Sequence, residues 1–492
     1  MAGGLAASLV LAGVALRCWQ IDFSFDADEV FSIHLAMLPF GQMLAGAMAD
    51  TPHPPLHIIL LHFWSMLFGG SEIAARSLSV ALSAAFLLAS WHLLRRFLDY
   101  RMALGALALL ALSPLFVLYG QQARPYSLIA LLAALNLLAF VRFIDANAPR
   151  GAGLRFPGLL WALSSAALLY AQYMGILLIG VELMYGLLVT PSRARQVIGH
   201  AALGCVSIVP WALLAMGRSL AGHEDPLPQV DWMTAPASTD FAWFYVSIFG
   251  ESQLLRVRWL LALAALVAAL VIRRALRQRI APEHVLFVAL AFAPPLLVYL
   301  LSVVGDKPLF ASRQLLGSAL AFVVVTGLCL AALPRVARYV SLAALLIWSA
   351  SSVHHAFPER IKPPWRDIAA YVEARYPGQR TLAEDWWIEV PFDHYRKGNI
   401  VALGSLHGAS LDGPALLLCR TPRCAPTLEA HDLQSRARHV HQWNWGTGQL
   451  DLYEIARLPA VADPRLPDGV ALQPHVVRTD PESASPPRDA SL

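Results

Sequence analysis

Apolar stretches of helix-spanning length recur through the first 355 residues, each bounded by a few polar or charged positions. A hydrocarbon core of about 30 Å needs about 20 apolar residues in an α-helix. The pattern predicts spans at residues 4–20, 73–94, 102–119, 126–145, 157–173, 174–191, 196–216, 257–272, 283–303, 309–332 and 336–354. One further apolar run, 56–69, has the length of a re-entrant or interfacial helix. Arginine clusters follow every second span: Arg95, Arg96 and Arg101; Arg142, Arg150 and Arg155; Arg193 and Arg195; Arg273, Arg274, Arg277 and Arg279; Arg335 and Arg338. All of them can lie in the cytoplasm. With a cytoplasmic N-terminus, a single crossing then fits between residue 20 and Arg95, so 73–94 crosses and 56–69 lies on the outer face. The expected architecture is an all-α polytopic membrane domain over residues 1–355, of about eleven transmembrane helices. Residues 21–72 form a first outer loop with amphipathic juxtamembrane helices, and residues after His355 are outside.

Beyond residue 355 the pattern changes. WRDIAAYVEARY reads as an amphipathic helix, and TLAED, PALLLC and LDLYEIA read as strands. A small extracytoplasmic α/β domain over 356–462 follows, and the Pro, Ser, Asp and Arg of 463–492 read as a disordered tail.

Composition agrees with the pattern. The 492 residues are 57% hydrophobic and 14% charged, whereas a soluble domain carries about 25% charged residues. Mean hydropathy is +0.54. Repeated apolar runs exclude a secreted protein with one removable signal and a single-anchor receptor. Net charge is +4, with no basic stripe interleaved with aromatics, so nucleic acid is not an expected partner. Lysine occurs only at positions 307, 362 and 397. Cys18, Cys205 and Cys329 fall in spans as packing residues. Cys419 and Cys424, in CRTPRC, are too few for a closed zinc site and favour a disulfide in an oxidising compartment.

Several polar groups at the outer rim go beyond what solvation explains. In FDADEVFSIHLAML, Asp28 and Glu29 open an amphipathic helix whose apolar positions are Val30, Ile33, Leu35 and Leu38, so the carboxylates face the polar boundary above the bilayer. Their plain structural reading is a helix cap. DTPHPPL adds His53 ahead of the short apolar helix, whose prolines are ordinary start signals. SPLFVLYGQQARPYSL crowds Tyr119, Gln121, Gln122, Arg124 and Tyr126 onto a turn between two spans. A snorkelling arginine accounts for Arg124 alone; the tyrosines and glutamines suit sugar rings and hydroxyls. Lys307 and Arg313 follow, the latter expected about one and a half turns into an apolar helix, where a charge is costly and marks a partner or pathway. Guanidinium binds phosphate oxygens in pairs, so these cations could hold a lipid phosphate. For Arg76 a structural pair with Glu72 or Asp28 is the simpler expectation.

The order of DE in the first outer loop, HPPL leading into W-x-x-L-F-G, Arg76 within R-S-L-S, and QQARPYSL resembles the GT-C class of membrane glycosyltransferases. More narrowly, it resembles the protein O-mannosyltransferases and aminoarabinose transferases. The likeness is close over 21–145 and loose over the remaining membrane part. WRDIAAYV and DWWIEVPFDHY also look like the soluble ends of bacterial members.

The resemblance implies a sugar donor carried on a polyprenyl or dolichyl phosphate, used at the non-cytoplasmic face with inversion at the anomeric carbon. It implies Asp28 as general base with Glu29 as acidic neighbour. His53, Arg124, Arg313 and Lys307 would bind donor or phosphate, and Gln121, Tyr126 and Tyr119 would line the acceptor or sugar pocket. Gln314 stands where the family often has tyrosine. No metal is expected to be obligatory, although the acidic loop could bind a divalent ion. The acceptor would be a lipid, glycan or protein, and the location a bacterial inner membrane with the site and C-terminal domain periplasmic. A transporter or flippase of a lipid-linked sugar is the alternative; it would place broken helices at mid-membrane, whereas the polar residues here gather at one face.

Overall fold

A computed structural model describes residues 2–49, 53–145, 155–220, 235–250, 282–305, 308–405, 414–431, 433–446 and 448–456. They form two compact units, one of Met1–Arg366 with Asn444–Gly448, the other of Asp367–Trp443 and the chain from Gln449 onward.

The first unit is helical. Its opening helices are α1 (Ala2–Cys18), α2 (Ala27–Met37), α3 (Phe40–Ala49), α4 (Leu56–Phe68), α5 (Glu72–Phe97), α6 (Tyr100–Leu112), α7 (Pro114–Gly120), α8 (Tyr126–Ile144), α9 (Arg155–Ala171) and α10 (Gly175–Val189). Apolar helices Ala194–Val206, Val209–Leu220, Pro282–Val304, Leu316–Ala332 and Arg335–Val353 follow. Every predicted span has a helix at its place except 257–272, which lies outside the described residues. Among the described residues five helices are long and apolar enough to cross a membrane, or six if the bent pair α6 and α7 is one span. Exposed Leu163, Leu188, Leu213, Val304 and Ile347 form an apolar exterior of the kind lipid covers.

Local chemistry sets the element ends. Asp99 caps α6 by accepting from the backbone N–H groups of Arg101 and Met102. Pro114 brings no N–H into the ladder, so the helix breaks at Ser113 and α7 departs at 53°. The break frees carbonyls at the end of α6, and the buried Arg17 donates from Nη1 to Ala111 O at 3.2 Å and to Gly13 O at 2.8 Å. At about 1.5 Å per residue, the thirteen residues of α4 reach only about 20 Å, short of a crossing. It buries His57, Ile58, Leu61, His62 and Ser65 and exposes Phe63, Met66 and Leu67.

The second unit carries β1 (Thr381–Ala383), β2 (Ile400–Ala402), β3 (Ala415–Arg420), β4 (Ala437–Trp445) and β5 (Gly448–Ile455), in sheet order β2-β1-β3-β5-β4. β1 pairs in parallel with β2 and β3, while β3 and β5 run antiparallel, with Leu417 opposite Tyr453. β3 is buried from Ala415 to Cys419, as the continuous apolar run PALLLC predicts. The amphipathic helix appears as Trp365–Arg375. Sequence pattern missed β4, whose side chains are mostly half-buried or exposed. Cys419 and Cys424 form a disulfide with an S–S distance of 2.10 Å. Residues 463–492 lie outside the described residues.

Candidate active site

The FDADE segment is the start of α2. Asp26 is its N-cap: the Asp26 carboxylate accepts from Glu29 N at 2.9 Å, and the Glu29 carboxylate accepts from Asp26 N at 3.3 Å. This reciprocal capping box fixes the turn that carries Asp28. Glu29, fully buried, also accepts from Arg76 Nε (2.8 Å, Oε1), Ala123 N (2.9 Å, Oε1), Arg76 Nη2 (2.7 Å, Oε2) and Lys362 Nζ (2.8 Å, Oε2). Burial alone would push its carboxyl up, but Arg76 and then Lys362 hold it well below the usual carboxylate range.

Lys362 also pairs with Asp26 at 2.7 Å. Burial outweighs that cation at Asp26, whose carboxyl is raised; the nearby Glu29 and Asp28 charges add to the rise. Arg76 spends its other N–H groups on the carbonyls of Ile21, Phe23 and Ser24. It therefore ties α5 to the first outer loop through Glu29, while Glu72, an expected partner, is paired with Arg366.

Asp28 differs from both neighbours. It is half-buried, and no hydrogen bond or ion pair among the described residues claims its carboxylate. Its main-chain oxygen accepts from Ser32 Oγ at 2.9 Å and from Arg124 Nη1 at 3.3 Å. Arg124, on the turn between α7 and α8, also donates to Ser32 Oγ at 2.9 Å and meets His53 Nε2 at 3.2 Å. His57 lies close by; burial, then the charges of Arg124 and His53, push its imidazole down to about 3. The structure thus gathers Asp28, Ser32, His53, His57 and Arg124, from α2, the segment before α4, α4 itself and the turn before α8.

Other expected site residues are placed differently. Gln121 is buried and donates its amide to Leu16 O and Trp19 O, closing the end of α1, so it is not available to a sugar. Tyr119 and Tyr126 pack with ring centroids 4.7 Å apart and line a small cavity with Ser83, Ser127, Phe116 and Leu316. Arg313 is not inside a helix: the polar run Ser312, Arg313, Gln314 forms a 3-10 turn, and the apolar helix starts only at Leu316. It therefore precedes the apolar helix instead of standing one and a half turns inside it. It lies within electrostatic reach of Tyr119. Lys307 lies outside the described residues. Among the described residues no group of three or more His, Cys, Asp or Glu is arranged to hold a metal ion.

Sequence reasoning missed Lys362 and the buried ion pairs that surround Glu29. Both Glu29 oxygens are filled by two cations and two backbone N–H groups, which anchors the first turn of α2. Lys362 stands 333 positions from Glu29 in a short segment between prolines, and no periodicity or motif links the two.

This geometry sits on a recognisable fold. The chain matches the crystal structure of ArnT from Cupriavidus metallidurans bound to undecaprenyl phosphate, with TM-score 0.59 and 13% identity over 92% of this chain and 98% of that one. The apo state of the same protein gives 0.58. The oligosaccharyltransferase of Archaeoglobus fulgidus, in a complex with Zn and sulfate, gives 0.50 at 13% identity, over 79% of this chain and 61% of that one. At such identities the likeness is one of fold. Residues 52–214 match the family described as dolichyl-phosphate-mannose-protein mannosyltransferase. No curated protein matches the chain. This multi-pass membrane protein thus shares the fold of the ArnT structures, and the family match lies within its membrane unit.

Proposed function

We propose that this chain is an inverting glycosyltransferase that moves a hexosyl or pentosyl group from a polyprenyl monophosphate to a lipid, glycan or protein acceptor. The reading includes use of the donor at the periplasmic face of a bacterial inner membrane. The observation that carries it is the contrast within FDADE: Asp26 and Glu29 are tied up by Lys362 and Arg76, whereas the Asp28 carboxylate is unclaimed among the described residues, on a residue whose main chain meets Arg124. The matched structure with bound undecaprenyl phosphate supports the donor class.

An alcohol is a poor nucleophile. Asp28 takes the acceptor hydroxyl proton as that oxygen attacks the anomeric carbon, and the bond from that carbon to the phosphate oxygen breaks on the opposite face. The departing phosphate gains charge, which Arg124 meets with a planar fork of donors, helped by His53 and, in this reading, by Arg313 and Lys307. Tyr119 and Tyr126 contribute ring surface for the sugar. A monophosphate leaving group matched by these cations is served without an obligatory metal.

The test is transfer from a labelled polyprenyl-phosphate sugar by the purified protein, with and without chelator, scoring glycosylated acceptor and free lipid phosphate. Asp28→Asn is expected to keep donor binding and lose about 10² to 10⁴ in rate. Full transfer by that variant rejects the reading.

A further inference from the structure

We infer that Lys362 is a positioning residue for the Asp28 site, its ammonium cross-linking the two carboxylates that cap the helix on which Asp28 rides. The inference rests on Asp28 being the base.

Four charged groups alternate through this cluster: Asp26, Lys362, Glu29, Arg76. Lys362 Nζ is 2.7 Å from Asp26 Oδ2 and 2.8 Å from Glu29 Oε2. Those carboxylates are also the two halves of the capping box, at the N-cap and three residues later. The lysine therefore bonds to both ends of one helical turn, and Asp28 stands between them in sequence. Only 6% of Lys362 is exposed, so water does not dilute the contact. The segment around it is pinned as well: Trp365 N donates to Ser24 Oγ at 3.0 Å, and Ser24 Oγ donates to Pro363 O at 3.2 Å.

Formal charges in the cluster sum to zero. Without the ammonium, Asp26 and Glu29 face Arg76 alone and one negative charge is left over. Asp26 already interacts electrostatically with Asp28. An added negative charge beside a carboxylate raises its proton affinity. Charged and titratable groups around Asp28 are then Asp26, Glu29 and Arg76 from the cluster, with Arg124 from the turn before α8, His53 from the segment before α4 and His57 from α4. The balance tips towards protonation, and a protonated Asp28 cannot act as base.

The experiment compares full-length Lys362→Met and Lys362→Arg proteins by the pH dependence of transfer from a polyprenyl-phosphate sugar, alongside donor affinity. Lys362→Met is expected to move the acidic limb of the profile upward by about one pH unit and to slow transfer about tenfold near neutrality, with donor affinity kept. Lys362→Arg keeps the limb in place. A rate loss without a limb shift, or no loss at all, overturns the inference. Should Lys362→Met fail to fold, Asp26→Asn with Lys362→Met restores neutrality. That double variant is expected to return the limb to its wild-type position, and failure to do so also overturns it. Asp28→Asn runs in parallel: full activity there rejects the base assignment, whereas an inactive Asp28→Asn beside an unaffected Lys362→Met rejects only the role of the lysine.

Discussion

Arg76 grips Glu29 through two parallel hydrogen bonds, Nε to Oε1 at 2.8 Å and Nη2 to Oε2 at 2.7 Å, with both side chains fully buried. The pair joins α5 to the cap of α2 in the bidentate geometry that gives the strongest hydrogen bonding between these groups.

Removing one partner leaves the other charged in a dry site. Arg76→Leu is expected to destabilise the protein by about 3 to 5 kcal/mol, read as a large fall in melting temperature in detergent. The pH dependence has a definite sign. Glu29 has a depressed folded value, so its contribution is complete above its unfolded value of about 4.3 and is lost as pH falls through the folded one. Wild-type melting temperature should therefore begin to drop below about pH 4. Glu29→Gln should melt lower at neutral pH and show a flatter acid profile. An unchanged profile in that variant would remove Glu29 as the linked group.

Arg124 bonds to Ser32 Oγ and approaches His53 while touching the main chain of Asp28. Its loss should cost transition-state stabilisation rather than folding. Arg124→Ala is expected to reduce transfer about 10² to 10³-fold, with little change in melting temperature. Arg124→Lys should recover only part of it, because an ammonium cannot reproduce the fork. Steady-state kinetics of the two variants against wild type decide this.

Arg17 presents the opposite balance. It is a buried cation whose Nη1 serves the end of α6, while Nε and Nη2 find no partner among the described residues. The helix-end contact is worth up to about 2 kcal/mol. Burying a charge without a carboxylate costs several kcal/mol. The second magnitude is larger, so Arg17→Met is expected to melt at or above the wild-type temperature. A clear fall would show that the break between α6 and α7 depends on the guanidinium.

How much of this was legible in the sequence follows from the range of each interaction. The apolar helices and β3 were readable because burial in lipid or in a sheet imposes unbroken apolar runs on neighbouring residues. The start of α2 was readable for the same local reason, although Asp26, not Asp28 or Glu29, turned out to be the cap. Arg313 was misplaced by a few residues because hydropathy blurs a polar turn that adjoins an apolar helix. Gln121 looked like a sugar ligand since nothing near it in sequence reveals the carbonyls of Leu16 and Trp19 that it meets. The partners of Glu29 were illegible: Arg76, Ala123 and Lys362 are distant in sequence, and only the fold brings them in.

The bond from Lys362 to Glu29 spans 333 positions of chain. During synthesis the acidic turn and its arginine are made early, and they wait until the last apolar helix of the first unit has been threaded before the lysine arrives. A nascent polypeptide halted at residue 350 would hold every other described member of the cluster and still lack neutrality.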